Sequence, residues 1–189
     1  MKKGGKLVYY SGINDIDSIN GIGVGVSLFV SGCRHRCKGC FNPETWNFTN
    51  GTEYTEDTLK ELIRLIDRPY IDYFSILGGD PFEPENMPTV LDIVETIRIK
   101  FPKLQINIWS GYLYEDLIKD SMASKILQLC DILVDGEYEE DKRDLKLEMR
   151  GSTNQRIIVL NTQDNIAKIY SNKTVTSNSL RDDIKYKLN

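Results

Sequence analysis

Short apolar runs alternate with amphipathic segments along most of the chain, which is the pattern of consecutive strand and helix units. Residues 24–30, 73–77 and 105–109 are apolar runs with many β-branched and aromatic residues, and each run predicts a buried strand. Shorter runs at residues 132–134 and 157–160 predict a fourth and a fifth strand. The order of these segments predicts an α/β fold built around a parallel sheet.

The segments between the apolar runs have helical spacing. Thr55 can cap a first helix, and the apolar side chains of that helix recur on one face, at Leu59, Leu62, Ile63 and Ile66. Pro88 fits the first turn of a second helix, and Pro102 ends it. Residues 113–130 continue the pattern with a break near Ser121. Helical segments are thus predicted between each consecutive pair of the first four strands.

Parallel strands joined by right-handed crossovers bring their carboxyl ends to one edge of a sheet, where α/β proteins place their ligands. A closed barrel of eight such units typically needs about 250 residues, and this chain has 189. The sequence therefore predicts a partial, open parallel βα barrel with an accessible concave side. We expect that domain to span residues 1–160. The polar, weakly periodic residues 161–189 predict a C-terminal extension to which the sequence assigns no function.

Charge and hydropathy narrow the function classes. A formal net charge of -4 argues against non-specific nucleic-acid binding, which relies on a basic surface. No stretch approaches the roughly 18 apolar residues of a membrane-spanning helix, and the first residues lack the apolar core of a signal peptide. We therefore expect a cytoplasmic protein that binds neither nucleic acid nor a membrane.

Three of the four cysteines lie close together, directly after the first predicted strand. Cys33, Cys37 and Cys40 have the spacing C-x3-C-x2-C in a loop that also contains glycine. This layout is poor for a disulfide framework and typical of a metal site. Four cysteines would fill the coordination of a four-iron cubane, whereas three leave one iron open for a substrate. The loop therefore favours a 4Fe-4S cluster with one open iron.

A structural zinc site is the alternative interpretation of the same loop. Zinc would need a fourth ligand for tetrahedral coordination, from His35 or Cys130. His35 stands between two arginines and is predicted to face solvent. Cys130 precedes an apolar run and is predicted to be a small buried core residue. On the zinc interpretation the protein would be a non-catalytic binding module.

The cysteine loop resembles that of the radical S-adenosylmethionine superfamily. The segment CFNPETW that begins at Cys40 resembles the anaerobic ribonucleoside-triphosphate reductase-activating proteins, and five further motifs resemble the same family in the same order. These motifs are YSGI at 10–13, LGGDP at 77–81, WSGY at 109–112, DILVDG at 131–136 and RGSTNQR at 150–156. The resemblance covers about residues 7–160 and implies a partial barrel of the radical S-adenosylmethionine type.

The resemblance implies a radical enzyme that activates a glycyl-radical enzyme. In the family a 4Fe-4S cluster, here on Cys33, Cys37 and Cys40, binds the methionine part of S-adenosylmethionine at its open iron. Reductive cleavage gives a 5′-deoxyadenosyl radical, which removes a hydrogen atom from a glycine of the anaerobic ribonucleoside-triphosphate reductase. The implied partners are that reductase and an external one-electron donor such as a flavodoxin, because the chain shows no flavin motif or second cluster motif.

The resemblance also implies which residues contact the cofactor. Gly78 and Gly79 lack side chains, so their backbone can approach the ammonium group of S-adenosylmethionine. Asp80 stands where the family more often has glutamate. Gly39 stands where many superfamily members have an aromatic residue that packs on adenine, and Gly39 and Phe41 are then expected to flank that base. The full predicted set is Gly39, Cys40, Phe41, Gly78, Gly79 and Asp80.

Several questions stay open on the sequence. The target is the anaerobic reductase, another glycyl-radical enzyme such as a formate-lyase, or a small molecule. Trp109 and Tyr112 end a predicted strand and fit a cleft lining and a core equally well. Asn154 and Arg156 precede a predicted strand, which is the wrong end for a ligand contact in a parallel barrel. The acidic run 135–144 is expected to be a solvated loop, with contact to a partner as the alternative.

Overall fold

The computed structural model describes residues 8–160, 167–170 and Leu180. Within these residues eight strands form one open sheet, namely Tyr9–Asp17 (β1), Gly25–Val30 (β2), Thr52–Glu53 (β3), Tyr73–Gly78 (β4), Gln105–Ser110 (β5), Ile132–Asp135 (β6), Arg156–Val159 (β7) and Lys168–Tyr170 (β8). The same ranges contain four α-helices, namely Glu56–Ile66 (α1), Met87–Lys100 (α2), Tyr114–Leu117 (α3) and Ser121–Leu129 (α4). Short turns of 3-10 helix occur at Pro43–Trp46 and Glu140–Lys142.

The order of the strands in the sheet is β3-β1-β2-β4-β5-β6-β7-β8. The central strands β2, β4, β5 and β6 are parallel to their neighbours. On one side β1 and β3 are added by antiparallel pairing, and on the other side β7 and β8 are added in the same way. The predicted α/β class and the open sheet are confirmed. The expectation of a parallel sheet holds for the central strands and is wrong at both sides.

The direction of β7 follows from the segment that precedes it. A parallel connection usually contains a helix that packs on the sheet, but residues 136–155 form only the 3-10 turn at Glu140–Lys142. The chain therefore returns antiparallel to β6, with Arg156 opposite Asp135. The beginning of β7 consequently lies at the edge where the parallel strands end.

The helices begin close to the predicted positions. Thr55 caps α1 in a capping box with Thr58, whose hydroxyl accepts a hydrogen bond from the Thr55 N–H at 3.1 Å. Pro88 lies in the first turn of α2. The predicted break near Ser121 separates α3 from α4, and the Asp120 carboxylate caps α4 by accepting from two backbone N–H groups. None of the helices in the described ranges has the length and apolarity needed to cross a bilayer.

The main core lies between one face of the sheet and helices α1, α2 and α4. Val26, Phe74 and Ile106 of the parallel strands are fully buried there, together with helix residues that include Leu62, Val90, Ile93, Val94, Ile97 and Ile126. Cys130 is fully buried in the same cluster, which confirms its prediction as a core residue. Burial of this apolar surface fixes the positions of the parallel strands, and with them the positions of the loops at their ends.

The opposite face of the parallel strands carries buried polar side chains. Ser27, Ser75 and Asn107 are aligned across β2, β4 and β5 and are fully buried. The hydroxyl of Ser75 and the side-chain amide of Asn107 donate hydrogen bonds to the carbonyl oxygen of Asn20. The connection between β1 and β2 thus covers the part of this face that carries Ser75 and Asn107. Nearer the carboxyl ends of the strands, the same face forms the wall of a cleft.

Part of the predicted C-terminal extension lies within the described residues. β8 pairs antiparallel with β7, and Leu180 is fully buried in a second apolar cluster with Ile22, Ile132, Val134, Ile157 and Val159. The other residues of 161–189 lie outside the described residues.

Candidate metal centre

A cleft of about 540 Å3 opens at the carboxyl ends of the four parallel strands. Phe29, Leu77 and Trp109, from β2, β4 and β5, contribute to its wall. Its lining also includes all three predicted ligand cysteines and most of the predicted cofactor contacts, namely Cys33, Cys37, Cys40, Phe41, Gly78, Gly79 and Asp80. Gly39 belongs to the same loop but is not part of the lining. The fold therefore brings the cysteine loop and the glycine-rich loop after β4 together at one edge, as expected for parallel strands.

The cysteine loop is anchored by backbone hydrogen bonds on both sides. The Gly32 N–H donates to the carbonyl of Thr45 at 2.7 Å, and the Cys33 N–H donates to that of Trp46 at 3.3 Å. The carbonyl of Gly32 in turn accepts from the Asp80 N–H at 2.8 Å. Gly32 has a φ of +101°, and a Cβ there would lie 2.2 Å from the ring of Phe48, so this position requires glycine.

The three cysteines of the loop are half-buried and form no disulfide. Burial, with the nearby Asp80 carboxylate, raises the pKa of the Cys33 thiol to about 12, and burial also raises the pKa of Cys37. Cys33 and Cys37 are therefore neutral thiols in the metal-free site. Metal ligands must be thiolates, so we expect metal binding to release protons here and to supply the positive charge that stabilises the anions.

Neither Cys130 nor His35, the two expected fourth ligands of zinc, is placed to complete a zinc site with the cysteines. Cys130 is fully buried just before β6 begins, at the opposite edge of the sheet from the cysteine loop. The imidazole of His35 is engaged by two carboxylates, as described below. Within the described ranges, no three His, Cys, Asp or Glu side chains are grouped so that they could hold one metal ion, and this includes the three cysteines as they lie in the metal-free loop.

The prediction that His35 faces solvent is wrong. Its side chain is 10% exposed, and its Nδ1 lies 2.9 Å from a carboxylate oxygen of Glu137. Its Nε2 lies 3.2 Å from Asp80 Oδ2, at ion-pair distance but without the alignment of a hydrogen bond. The Asp80 carboxylate, and to a smaller extent Glu137, raises the pKa of His35 to about 9 against the opposing effect of partial burial. The reason for the error is that both partners are distant in sequence.

Gly78 and Gly79 are required by close packing between two loops. Gly78 has a φ of +105°, and a Cβ there would lie 2.8 Å from the Cα of Phe29. A Cβ at Gly79 would lie 2.5 Å from the carbonyl oxygen of Gly32. The loop after β4 therefore lies directly against the start of the cysteine loop, and contacts within the protein are sufficient to explain both glycines.

Asp80 is buried and links the ends of two strands through hydrogen bonds. It is 1% exposed, and its carboxylate accepts hydrogen bonds from the N–H of Phe82 at 2.9 Å, the N–H of Gly111 at 2.9 Å and the hydroxyl of Ser110 at 3.1 Å. Buried carboxylates are stable when their oxygens accept such bonds. Asp80 thus joins the end of β4 to the end of β5.

Gly39 and Phe41 face the segment between β6 and β7. Gly39 has a φ of +74°, and a Cβ there would lie 2.8 Å from the carboxyl carbon of Glu140. Phe41 is 54% exposed, and its ring lies 5.2 Å from the ring of Tyr138. A Cβ at Gly151 would lie 2.6 Å from the Phe41 ring. The end of the cysteine loop is therefore packed beneath residues 138–151.

Trp109 and Tyr112, whose roles the sequence left open, have different surroundings in the structure. Trp109 lines the cleft, and its indole N–H donates to the carbonyl of Met149 at 3.0 Å. Tyr112 is not part of that lining but packs against the main core, with its ring 4.4 Å from the ring of His35. Trp109 is thus a cleft residue, and Tyr112 supports the loop histidine.

The expectation that Arg156 lies at the wrong end of the sheet is wrong, because β7 is antiparallel. Its guanidinium forms a bidentate ion pair with Asp135 at the end of β6 and a second one with Glu115. Asp135 is fully buried, so the acidic run 135–144 is not a uniformly solvated loop. The amide of Asn154 donates to the carbonyl of Glu137 at 2.8 Å. These residues shape the edge at which the cleft opens.

Three further residues of this edge were missed in the sequence. Ser110 and Asp135 directly follow predicted strands, so the rule that ligand sites lie at strand ends would have identified them. Arg150 lines the cleft and is 7% exposed, and burial lowers the pKa of its guanidinium. No local pattern marks Arg150 as buried, because the contacts that enclose it are formed only in the folded chain.

Comparison with known proteins first defines the class. Residues 19–158 match the family described as a 4Fe-4S single cluster domain, so this chain is an iron–sulfur protein of that class. The matched range contains the cysteine loop and all four parallel strands.

Closer relatives define the family. The anaerobic ribonucleoside-triphosphate reductase-activating protein of Enterobacteria phage T4 is 40% identical over 148 residues, which is 78% of this chain and 92% of the relative. The proteins of the same name from Vibrio cholerae and Escherichia coli K12 are 39% and 37% identical, over 75% and 74% of this chain and 92% and 91% of the relatives. This chain belongs to the family of anaerobic ribonucleoside-triphosphate reductase-activating proteins.

Proposed function

We propose that this chain activates an anaerobic ribonucleoside-triphosphate reductase by generating a glycyl radical on it, as a radical S-adenosylmethionine enzyme. The observation that carries the proposal is the position of the cysteine loop, which lies at the carboxyl edge of the parallel strands in a chain whose relatives are named for this activity. On this proposal the open sheet is a partial barrel of the radical S-adenosylmethionine type.

Cys33, Cys37 and Cys40 are the proposed ligands of one 4Fe-4S cluster. They fit this group because all three face the cleft, while Cys130 is buried in the core and the imidazole of His35, which also lines the cleft, lies against Glu137 and Asp80. The proposed ligand set is therefore three thiolates. When bound, such a cluster supplies the electron that cleaves S-adenosylmethionine to methionine and a 5′-deoxyadenosyl radical. We also propose that an external one-electron donor of the flavodoxin type reduces the cluster. The proposed location of the protein is the cytoplasm.

The residues of this chain bind and shield the cofactor. Gly78 and Gly79 offer backbone close to the cysteine loop without side chains in between. Phe41 borders the cleft as the proposed adenine neighbour, with Cys40, Gly39 and Asp80 as the other proposed contacts. Arg150 places a cation in the cleft wall, which suits the carboxylate of the methionine part. Trp109 and Phe29 add apolar surface that excludes water from the reacting atoms.

The open side of the sheet leaves the cleft accessible to a macromolecule. A radical must be protected from oxygen and stray hydrogen donors, and in this fold the protein substrate would complete the enclosure.

The domain division at residue 160 remains part of the proposal, with residues 161–189 as an extension.

The test of the proposal is detection of a glycyl radical on the reductase. The protein is reconstituted with iron and sulfide without oxygen, then mixed with the reductase, S-adenosylmethionine and a strong reductant, and the glycyl signal is measured by electron paramagnetic resonance. We expect a signal on the reductase that depends on the cofactor. A signal only on a formate-lyase-type enzyme assayed in parallel would transfer the activity to that target. Absence of 5′-deoxyadenosine in every mixture would contradict radical chemistry altogether.

A further inference from the structure

The cysteine loop contains one side chain that points inward between two that point outward. Arg34 and Arg36 are exposed, whereas the side chain of His35 between them is 10% exposed. Arg36 also has a φ of +50°, an uncommon conformation for a residue with a side chain. The loop thus adopts a strained turn that directs the imidazole toward the protein.

The imidazole contacts the loops that follow three other strands. Glu137, after β6, lies 2.9 Å from Nδ1, and Asp80, after β4, lies 3.2 Å from Nε2. Tyr112, after β5, packs against the ring edge with the centroids 4.4 Å apart. His35 itself follows β2. One side chain therefore contacts the ends of β4, β5 and β6 from the loop that carries the predicted ligands.

The groups on the Asp80 side of His35 are themselves fixed by other contacts. Asp80 is held by Ser110 and Gly111, as described above, and a Cβ at Gly111 would lie 2.6 Å from His35 Cδ2, so the ring fills the space that this glycine leaves. Glu137 is the more exposed of the two carboxylates, with its side chain 58% exposed. A ring held against the fixed Asp80 and Gly111 restricts the backbone on both sides of it.

We propose that His35 is a positioning residue that fastens the cysteine loop to the loops after β4, β5 and β6, and so holds Cys33 and Cys37 ready to bind the cluster. The fastening is a property of the metal-free chain. Only the identity of the bound group as a 4Fe-4S cluster rests on the proposed function. Groups that orient metal ligands from outside the ligand set typically change metal affinity by about 10- to 100-fold when removed.

The first measurement is amide hydrogen exchange in the metal-free protein. In His35→Ala we expect the hydrogen-bonded backbone amides of the loop, those of Cys33, Arg34 and Cys40, to exchange about tenfold faster than in wild type, because local opening of the loop is no longer opposed. Lys38→Ala is the matched control, since Lys38 lies in the same loop with its side chain 85% exposed. Its exchange pattern should equal that of wild type.

The second measurement distinguishes a role of His35 in holding the cysteine loop from a role in the overall stability of the protein. His35→Asn keeps a donor near the Nδ1 position that meets Glu137, and His35→Gln keeps one near the Nε2 position that meets Asp80. We expect each to restore part of the slow exchange, to retain more iron after anaerobic reconstitution than His35→Ala, and to shift the midpoint potential of the cluster less. A residue needed only for folding would not give this graded recovery in the potential.

Equal exchange and equal iron retention in His35→Ala and wild type would overturn the proposal. If His35→Ala does not fold, the Asn and Gln variants decide: faster loop exchange than wild type supports the proposal, and wild-type exchange in both overturns it. A wild-type protein that binds no 4Fe-4S cluster would contradict the proposed function instead, while leaving the exchange result to be judged by itself.

Discussion

The two edges of the parallel strands use the same residue types for different purposes. At the carboxyl edge, Cys33, Cys37 and Cys40 are half-buried beside a cleft. At the amino edge, Cys130 is fully buried in the core. The thiols are chemically equivalent in the unfolded chain. The contrast shows that the position along the strands, and the space around each side chain, determines whether a cysteine is available to a metal.

The same contrast appears at the two ends of β6. Arg98 pairs with Asp131 before the strand and also donates to backbone carbonyls, including those of Leu129 and Leu104, so this end is closed by protein groups. Arg156 pairs with Asp135 at the other end, beside the cleft. Both ion pairs anchor β6. Only the second shapes a surface at which a ligand can bind.

Cysteine replacement should give the largest difference between the edges. In Cys37→Ala we expect 5′-deoxyadenosine formation to fall by more than about 100-fold, because two remaining thiolates do not hold an active cubane. Cys130→Ala should keep this activity and lose about 1 kcal/mol of unfolding free energy from the lost packing. The measurements are product chromatography and urea unfolding. A similar loss of activity in both variants would remove the distinction between the edges.

Breaking the ion pair at the carboxyl end of β6 should have the next largest effect. Arg156→Ala leaves the fully buried Asp135 carboxylate without its guanidinium partner, so we expect the free energy of unfolding to fall by about 3 kcal/mol. Arg156→Lys keeps the charge without the bidentate geometry and should lose less. Urea unfolding at pH 7 measures both. Unchanged stability in Arg156→Ala would show that the pair does not anchor this edge.

Two glycines of the carboxyl edge can be compared directly, since both have positive φ. A Cβ at Gly78 meets backbone at 2.8 Å, whereas at Gly136 the nearest atom is 3.7 Å away. Gly78→Ala should therefore lower the free energy of unfolding by about 2 kcal/mol, and Gly136→Ala by about 1 kcal/mol from backbone strain alone. Thermal or urea unfolding tests the order, and the reverse order would be inconsistent with the close approach of the two loops.

The smallest expected effect lies away from the cleft, at Asp17. Burial acts to raise the pKa of Asp17, but hydrogen bonds from Ser27, Ile19 and Asn20 outweigh it and lower the pKa below its ordinary value of 3.8. The folded state therefore gains stability from this carboxylate above that value and loses the gain as the pH falls through the folded pKa. Asp17→Asn should reduce the unfolding free energy by about 1 kcal/mol at pH 7 and by less near pH 3. A difference that does not depend on pH would contradict this assignment.

Much of the fold follows from local sequence pattern. The apolar runs predict β2, β4, β5 and β6 because strands buried on both faces are nearly continuous in apolar residues. β1 was missed because Tyr9–Asp17 is half-exposed and mixes polar residues with glycine. The direction of β7 could not be predicted from strand propensity, which carries no information about direction. It depends on the fact that residues 136–155 form no helix that could cover the sheet.

The candidate site was predictable to the extent that it is local. Cys33, Cys37 and Cys40 are identified by spacing within one loop, and Gly78 and Gly79 by the family-like motif that directly follows a predicted strand. His35 was wrongly placed because its two arginine neighbours indicate exposure, whereas its partner Glu137 is 102 residues away in sequence. Contacts at such separations are set by the order of strands in the sheet.

The most direct test of the central claim is Mössbauer spectroscopy of protein reconstituted with 57Fe, before and after addition of S-adenosylmethionine. Three thiolate ligands predict that about one quarter of the iron signal, from the single open iron, changes when the cofactor binds. A cubane whose iron sites all remain unchanged on addition of S-adenosylmethionine, or a colourless protein that retains zinc in place of iron, would contradict the account.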